Sequence, residues 1–170
     1  MDPRVWGRGW GGAQQRHWGA PTYGVGDRVG FPALGSVARE QGRRAVCHAC
    51  GLPFRGCQHR PYGLYTIPEI SMVGKSEEQL TKEKVPYEVG IARFKEIARG
   101  QILGDQLGML KLLFHRVTRL LLGVHCIGET ATEIIHIGQS VMSFGGTIDY
   151  FRDTVFNYPT MAECYKVAAF

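Results

Sequence analysis

The sequence of this 170-residue chain predicts an α+β fold, an antiparallel sheet with helices packed on one face. Residues 109–128 consist of two apolar runs on either side of HRVTR, which is typical of a β-hairpin with a short turn. Residues 86–94 alternate apolar and polar side chains, as a half-buried strand does. Two helix-start patterns then follow, at 130–133 and 160–163, without another strand between them. Strands followed by helices favour an antiparallel sheet over alternating βαβ units.

The first 63 residues carry weaker patterns. Residues 22–27, TYGVGD, predict a short buried strand that ends at Gly26-Asp27. A helix over about 34–50 is expected next, since small and apolar residues recur at Leu34, Val37, Ala38, Ala45 and Val46. Residues 51–63 are predicted to form a loop because of their Gly and Pro content.

Capping boxes predict where the later helices begin. Residues 64–74 form a β-prone run broken by Pro68, and Ser76 then opens SEEQ, in which the Ser hydroxyl and the Gln side chain satisfy free N–H groups. We expect a short polar helix over about 76–84. TATE, residues 130–133, predicts a second box before an apolar stripe of Ile134, Ile135, Gly138, Val141 and Met142, and GGT at 145–147 ends that helix.

TMAE, residues 160–163, predicts a third capping box, with Thr160 as the N-cap and Glu163 at the third helical position. It would open a last helix that runs to the end of the chain. No internal repeat is visible.

Charge divides the chain near residue 63. Residues 1–63 hold nine Arg, no Lys and three acidic residues, which gives +6, whereas residues 64–170 have a net charge of −1. The basic residues are scattered and follow no periodic face, so a nucleic-acid partner is not expected. Residues 1–20 show no helical or strand period, and we interpret them as a disordered or non-native leader.

Membrane insertion and disulfide bonding are not expected either. The chain has no run of eighteen apolar residues and no apolar signal core at its N-terminus, so a cytoplasmic location is the default. Five cysteines, an odd count, suit reduced thiols better than a disulfide framework.

The segment CHACGLPFRGCQH offers four possible zinc ligands, Cys47, Cys50, Cys57 and His59. The second pair is too closely spaced for a usual zinc knuckle, and the first lies in a predicted helix, so no metal site is expected. His125 and His136 lie in a predicted strand and helix, where an isolated His is more often a packing or interface residue than a ligand. The chain contains no HExxH, P-loop or G-x-G-x-x-G motif.

The segment YGVGD, followed by LGSVA at 34–38 and Gly42-Arg43, resembles the second FAD motif of the two-dinucleotide-domain flavoproteins related to glutathione reductase and dihydrolipoamide dehydrogenase. The resemblance implies that Gly26 and Asp27 bind the ribityl and pyrophosphate part of FAD. It also implies that the helix starting at Leu34, Gly35, Ser36 and Val37 points its N-terminus at the flavin pyrimidine, where free N–H groups suit an electron-rich edge.

Residues 64–170 resemble the dimerisation domain of the same family. YTIPEISMVGKSEEQL, KVPYEVG, LGVHCIGETATEIIHIGQ and FNYPTMAECYKVAA look closest to its soluble, Si-specific pyridine nucleotide transhydrogenases. The resemblance implies FAD as cofactor, NAD and NADP as substrates, and a homo-oligomer that is at least a dimer. Residues 21–63 would be a remnant of the FAD-binding domain and its linker.

The Tyr158-Pro159-Thr160 corner distinguishes the branches of this family. Its disulfide reductases carry His-Pro-Thr here, with a Glu five residues after the His, and the His serves redox thiols as acid and base. By resemblance, Tyr158 and Glu163 occupy these two positions. A tyrosine hydroxyl stays protonated at neutral pH, so it is a poor base for thiols but is compatible with hydride transfer.

These features imply the C-terminal part of an FAD-dependent NAD(P)+ transhydrogenase, inactive as an isolated chain because the first FAD motif and the NAD(P) domain are missing. The alternatives are a fragment of a reductase like dihydrolipoamide dehydrogenase and a non-catalytic dimerisation module.

Overall fold

The computed structural model describes residues 10–11, 16–17, 22–30 and 33–170 of the chain. The chain divides into two compact units, Met1–Gln58 and His59–Phe170. In the first unit, β1 (Trp10–Gly11) pairs antiparallel with β2 (Arg16–His17). The remainder of the predicted leader lies outside the described residues. Helix α1 (Gly35–Ala49) confirms the helix predicted over about 34–50.

The predicted strand over residues 22–27 is wrong. Tyr23 takes part in a single β-bridge, and the chain then forms a 3-10 turn at Gly26–Arg28. Backbone N–H and C=O groups of a strand need a neighbouring strand, and β1 and β2 pair with each other. The Gly26 N–H donates instead to the side chain of Gln41, at 2.6 Å.

Five antiparallel strands form the sheet of the second unit, in the order β3-β4-β7-β6-β5. They are Tyr62–Leu64 (β3), Ile70–Gly74 (β4), Tyr87–Arg93 (β5), Met109–His115 (β6) and Leu121–Ile127 (β7). β6 and β7 confirm the predicted hairpin, and β5 confirms the strand predicted over 86–94. β3 begins inside the segment 51–63, which the sequence predicted to be a loop.

The helices of this unit are Glu77–Lys82 (α2), Ala98–Leu103 (α3), Ala131–Ser143 (α4), Asp149–Asp153 (α5) and Glu163–Ala169 (α6). α4 packs on β4 and β7, and α6 packs on β5 and β6. The sequence patterns did not predict α3 or α5, which are only six and five residues long.

The core lies between α4, α6 and one face of the sheet. On that face Val73, Val124 and Leu112 are neighbours in register on three adjacent strands, and all three are buried. The helices contribute Ile135 and Tyr165, which are also buried. This arrangement confirms the predicted α+β fold with helices on one face of an antiparallel sheet.

One short helix covers part of the opposite face. Leu113 alternates with Leu112 along β6, so it points away from the main core, yet its side chain is fully buried. Lys111, on the same face as Leu113, forms an ion pair with Glu77 at the start of α2. Leu80 of α2 is fully buried as well. α2 therefore covers one end of this face.

The capping box at Ser76 is confirmed. The Ser76 hydroxyl accepts a hydrogen bond from the Gln79 N–H at 3.2 Å, and the Ser76 N–H donates to Gln79 Oε1 at 3.0 Å. Glu77 and Glu78 lie in the first turn, where negative charge is favourable.

The capping box predicted at Thr130 is wrong, although α4 begins where it was expected. Thr130 has φ +63°, whereas a capping residue needs an extended backbone to aim its oxygen at the helix N–H groups. Its hydroxyl oxygen is buried without a hydrogen-bond partner in the described part of the chain. The carboxylate of Glu69 caps the helix instead, through Thr132.

None of the described helices is long and apolar enough to cross a membrane.

Candidate functional site

The Gly26–Asp27 turn packs against the first turns of α1. Gly26 has φ +70°, which favours glycine, and a Cβ added there would lie 3.4 Å from the Cβ of Ala38. The hydrogen bond from its N–H to the buried side chain of Gln41 fixes the turn on the helix. The Asp27 side chain remains exposed. Two segments that the sequence assigned to one site are therefore adjacent.

The N-terminus of α1 keeps its backbone donors available. Leu34 is extended, with φ −125° and ψ 137°, and no side chain caps the helix. The first helical hydrogen bond runs from the Ala38 N–H to the Leu34 carbonyl, at 2.8 Å. In the described residues the N–H groups of Gly35, Ser36 and Val37 have no partner, and the first turn contains no acidic residue. The unneutralised partial positive charge of the helix dipole is therefore concentrated at this helix end.

Gln41 was missed by the sequence interpretation, although its signal was present. It follows Val37 by four residues and precedes Ala45 by four, so it lies in the buried stripe of α1. A polar side chain in such a stripe needs a hydrogen-bond partner. Gly26 is that partner.

The four possible zinc ligands do not form a metal centre. Cys47 lies half-buried in the last turn of α1, Cys50 ends that helix, and Cys57 is exposed on the following loop. His59 belongs to the second unit. Within the described part of the chain, no group of three or more His, Cys, Asp or Glu side chains is placed to hold a metal ion.

The Tyr158 corner forms an exposed loop between α5 and α6. The Tyr158 side chain is 73% exposed, and the Tyr158–Pro159 peptide bond is cis. Neither Tyr158 nor Glu163 makes a side-chain hydrogen bond to any described residue. The structure therefore does not join them as a hydrogen-bonded pair.

The third predicted capping box is also wrong. The Thr160 hydroxyl donates to the carbonyl of Asn157 at 2.7 Å, and α6 begins at Glu163 after Ala162, without a side-chain cap. The hydroxyl is engaged by the turn that precedes the helix, so it does not accept from the helix N–H groups.

The two histidines differ in environment. His136 lies on the exposed side of α4, where its Nδ1 is 2.7 Å from Gln139 Oε1. His125 lies on β7 opposite Lys111, and its Nδ1 is buried without a partner in the described residues. Burial lowers the pKa of His125, and the nearby charge of Lys111 acts in the same direction. His125 is therefore best described as a neutral packing residue.

A family model for the dimerisation domain of pyridine nucleotide-disulphide oxidoreductases matches residues 60–169. Among curated proteins, the chain is 56% identical over 148 residues to the soluble pyridine nucleotide transhydrogenase of Mycobacterium bovis BCG. That match covers 86% of this chain and 32% of the relative. The transhydrogenase of Photobacterium profundum is 57% identical over 153 residues, covering 87% of this chain and 33% of the relative.

Solved structures agree in fold. LpdA from Mycobacterium tuberculosis has a TM-score of 0.82 at 25% identity, over 91% of this chain and 34% of that one. The flavoprotein disulfide reductase RclA from Escherichia coli, solved as a Cu(II) complex, also has a TM-score of 0.82, at 24% identity, over 89% of this chain and 36% of its own.

The chain spans about a third of the length of the curated relatives that it matches. The matched family model covers well over half of it, including all five strands of the second sheet. The chain therefore belongs to the pyridine nucleotide-disulphide oxidoreductase family, through the dimerisation domain of that family.

Proposed function

We propose that this chain forms the dimerisation domain and one part of the FAD site of a soluble, Si-specific pyridine nucleotide transhydrogenase. The observation that carries this proposal is the 56% identity to soluble pyridine nucleotide transhydrogenases over 86% of the chain. Such an enzyme transfers hydride between NADPH and NAD+ through a flavin. Because the chain spans about a third of these relatives, that activity is proposed for a whole protein and not for these 170 residues alone.

The residues at the start of α1 are compatible with FAD. Gly35, Ser36 and Val37 offer N–H groups without partners among the described residues, and no carboxylate in the first turn opposes an electron-rich ligand. The exposed carboxylate of Asp27 suits hydroxyl donors such as those of a ribityl chain. Bound FAD would supply the two-electron carrier, and the protein would hold and orient it.

In this proposal Gly26 and Gln41 position the site without touching the reacting atoms. Their hydrogen bond holds the Asp27 turn against α1, so the carboxylate and the helix N-terminus stay together. A side chain at residue 26 would strain the backbone, since φ there is +70°.

Tyr158 favours a transhydrogenase over a reductase like dihydrolipoamide dehydrogenase. Acid–base work on thiols requires a group that changes protonation near neutral pH, which His provides and a tyrosine hydroxyl does not. No described side chain contacts the Tyr158 hydroxyl by a hydrogen bond. Hydride transfer between nicotinamides needs no such base.

The first experiment is flavin retention by the purified 170-residue chain. The chain is incubated with excess FAD, desalted, and read by its visible absorption. We expect retained flavin, and we expect Asp27→Ala to reduce it, whereas Glu40→Gln, which changes a carboxylate paired with Arg43 in α1, should not. If the folded wild-type chain retains no flavin, its part of the FAD site does not bind the cofactor alone. That result would favour a non-catalytic dimerisation module.

Activity and assembly are measured separately. Reduction of a spectrally distinct NAD+ analogue by NADPH should not exceed background with the isolated chain, and measurable turnover would contradict the proposed inactivity. Sedimentation at several concentrations should give at least a dimer. A monomer at all concentrations would refute the proposed homo-oligomer for this chain.

A further inference from the structure

We propose that Cys47 and Cys50 form a redox-active dithiol, which low-molecular-weight disulfides convert to an intramolecular disulfide. The metal interpretation leaves these two thiols without a role, and the proposed transhydrogenase function does not use them. They lie three residues apart at the C-terminal end of α1, where residues i and i+3 are neighbours on the helix surface.

Helix geometry places the two Cα atoms within reach of a disulfide. The Cys50 N–H still donates to the Val46 carbonyl at 3.0 Å, so the regular helical path extends to Cys50. In such a helix, residues three apart have Cα atoms about 5 Å from each other. Disulfides span Cα separations of about 4.4–6.8 Å. Helical Cβ atoms three residues apart are about 5–6 Å from each other, whereas a disulfide needs about 3.5–4.5 Å. Closing the bond therefore needs side-chain rotation together with a small backbone shift at this helix end.

The end of the helix is anchored, which keeps the pair together. The Leu52 N–H closes back onto the Cys47 carbonyl at 2.8 Å, and Gly51 supplies the required positive φ of +64°. Between the cysteines, His48 Nδ1 is 2.7 Å from the Tyr23 hydroxyl, and the two rings pack edge to face. The thiols thus lie on a fixed helical turn rather than on a loop.

Accessibility separates this pair from the cysteines of the core. Cys50 is exposed and Cys47 is half-buried, so a small disulfide can reach the first sulfur. Cys126 and Cys164 are buried, and burial raises the pKa of the Cys126 thiol to about 12. The thiolate is the nucleophile in exchange, so these two remain inert in the folded chain.

The reaction balances as a two-step exchange with oxidised glutathione as the oxidant. The Cys50 thiolate attacks one glutathione sulfur, the S–S bond of glutathione breaks, and a glutathione thiolate leaves. The Cys47 thiolate then attacks Cys50 Sγ and expels the second glutathione. Two electrons pass from the cysteine pair to the small disulfide, and the two thiol protons end on the two glutathione molecules.

Tryptic mapping provides a clean test, because cleavage after Arg44 and Arg55 yields a peptide, 45–55, whose only cysteines are Cys47 and Cys50. The folded 170-residue chain is treated with oxidised glutathione, and remaining thiols are then alkylated with N-ethylmaleimide in denaturant. We expect peptide 45–55 to be lighter by two hydrogen atoms and unlabelled, with Cys126 and Cys164 fully alkylated. Double alkylation of 45–55, stable glutathione adducts on it, or a cross-link to the Cys57 peptide would overturn the proposal.

Two variants complete the test. In Cys57→Ser, oxidised glutathione should still protect peptide 45–55 from alkylation. If peptide 45–55 becomes alkylated in this variant, the disulfide involves Cys57 and the proposal fails. Cys50→Ser should abolish the internal bond and leave Cys47 alkylated or carrying one glutathione. Both variants should fold, because Cys50 and Cys57 are exposed. Circular dichroism checks this.

Discussion

The carboxylate of Glu69 caps a helix that begins 62 residues later in the chain. Its Oε2 accepts two hydrogen bonds from Thr132, one from the backbone N–H at 3.1 Å and one from the hydroxyl at 2.7 Å. Thr132 lies in the first turn of α4, where free N–H groups attract negative charge. Glu69 immediately precedes β4, so this contact ties the loop before the strand to the helix that packs on it.

Glu69→Ala should destabilise the chain by about 1 kcal/mol, the usual cost of losing a helix cap, because alanine has no oxygen to accept from Thr132. The hydrogen bond from the Thr132 hydroxyl, followed by that from its N–H, lowers the pKa of Glu69 from its ordinary value of 4.5. A lowered pKa means that this stabilisation is present above 4.5 and is lost as the pH falls through the folded-state value. Urea unfolding of wild type and variant at neutral and acidic pH measures both effects.

The matched control is Glu129→Ala. Glu129 is an exposed carboxylate near the same helix end. Its backbone N–H donates to Asp105 at 3.0 Å, and its carboxylate makes no hydrogen bond to a described residue. Its substitution should change the free energy of unfolding by less than about 0.5 kcal/mol. If the two substitutions lower the free energy of unfolding equally, the helix is stabilised by nearby negative charge in general and not by the cap from Glu69.

The three capping boxes show what local sequence can predict. The box at Ser76 forms because Ser76 has the extended backbone that a cap needs, with φ −87° and ψ 164°, and its partner Gln79 lies in the same turn. At Thr130 the backbone adopts φ +63°, and the cap comes from Glu69, which no local pattern connects to α4. At Thr160 a preceding turn engages the hydroxyl. The helix starts were predictable, but their capping partners depended on tertiary contacts.

The two segments of the candidate cofactor site were proposed from resemblance, and their binding of FAD stays a prediction. Gly26, Asp27 and the start of α1 were identified by resemblance, and the structure places them against each other. The predicted strand failed because a strand depends on neighbours that the local sequence does not name. Gln41, which fixes the turn, could be recognised from its place in the buried stripe of α1, but its partner Gly26 could not, because that contact is tertiary.

Tyr165→Phe should destabilise the chain by about 1–3 kcal/mol, because it removes two buried hydrogen bonds. The Tyr165 hydroxyl accepts from the Gly138 N–H at 3.1 Å and donates to the Ile134 carbonyl at 2.8 Å. These two groups are i and i−4 partners of α4, so the hydroxyl joins its hydrogen-bond ladder. Thermal and denaturant unfolding measure the loss.

Tyr150→Phe is the matched control for that substitution. Tyr150 is about half exposed, and its hydroxyl makes no hydrogen bond to a described residue. The same atom is removed in both variants, but only Tyr165 holds α4. A loss in Tyr150→Phe as large as that in Tyr165→Phe would contradict the importance of the α4 contact.

The buried thiol of Cys126 should make the chain sensitive to alkali. Burial, followed by the charges of Asp105 and Glu69, raises the pKa of Cys126 from 9.0 to about 12. A raised pKa means that the stabilisation is complete below 9.0 and is lost as the pH rises toward about 12, at up to about 1.4 kcal/mol per pH unit.

Burial also raises the pKa values of Cys164 and Tyr165, so the whole chain loses stability in the same alkaline range. The comparison of wild type with Cys126→Ala isolates the contribution of one thiol. The variant will be less stable at neutral pH because it creates a cavity, but its stability should fall less steeply above pH 9. If the free energy of unfolding falls equally steeply with pH in the two proteins, the raised pKa of Cys126 is refuted.

Glu163→Ala should leave the free energy of unfolding within about 0.5 kcal/mol of wild type, because the Glu163 side chain makes no hydrogen bond to a described residue. A functioning capping box would instead lose about 1 kcal/mol. Thr160→Val is the companion variant, and it should cost about 1 kcal/mol through the lost bond to the Asn157 carbonyl. Urea unfolding of both variants decides between the turn and the capping box. A loss of stability at Glu163 equal to that at Thr160 would show that the capping box forms. A loss of stability at Thr160 alone would support the turn that carries Tyr158.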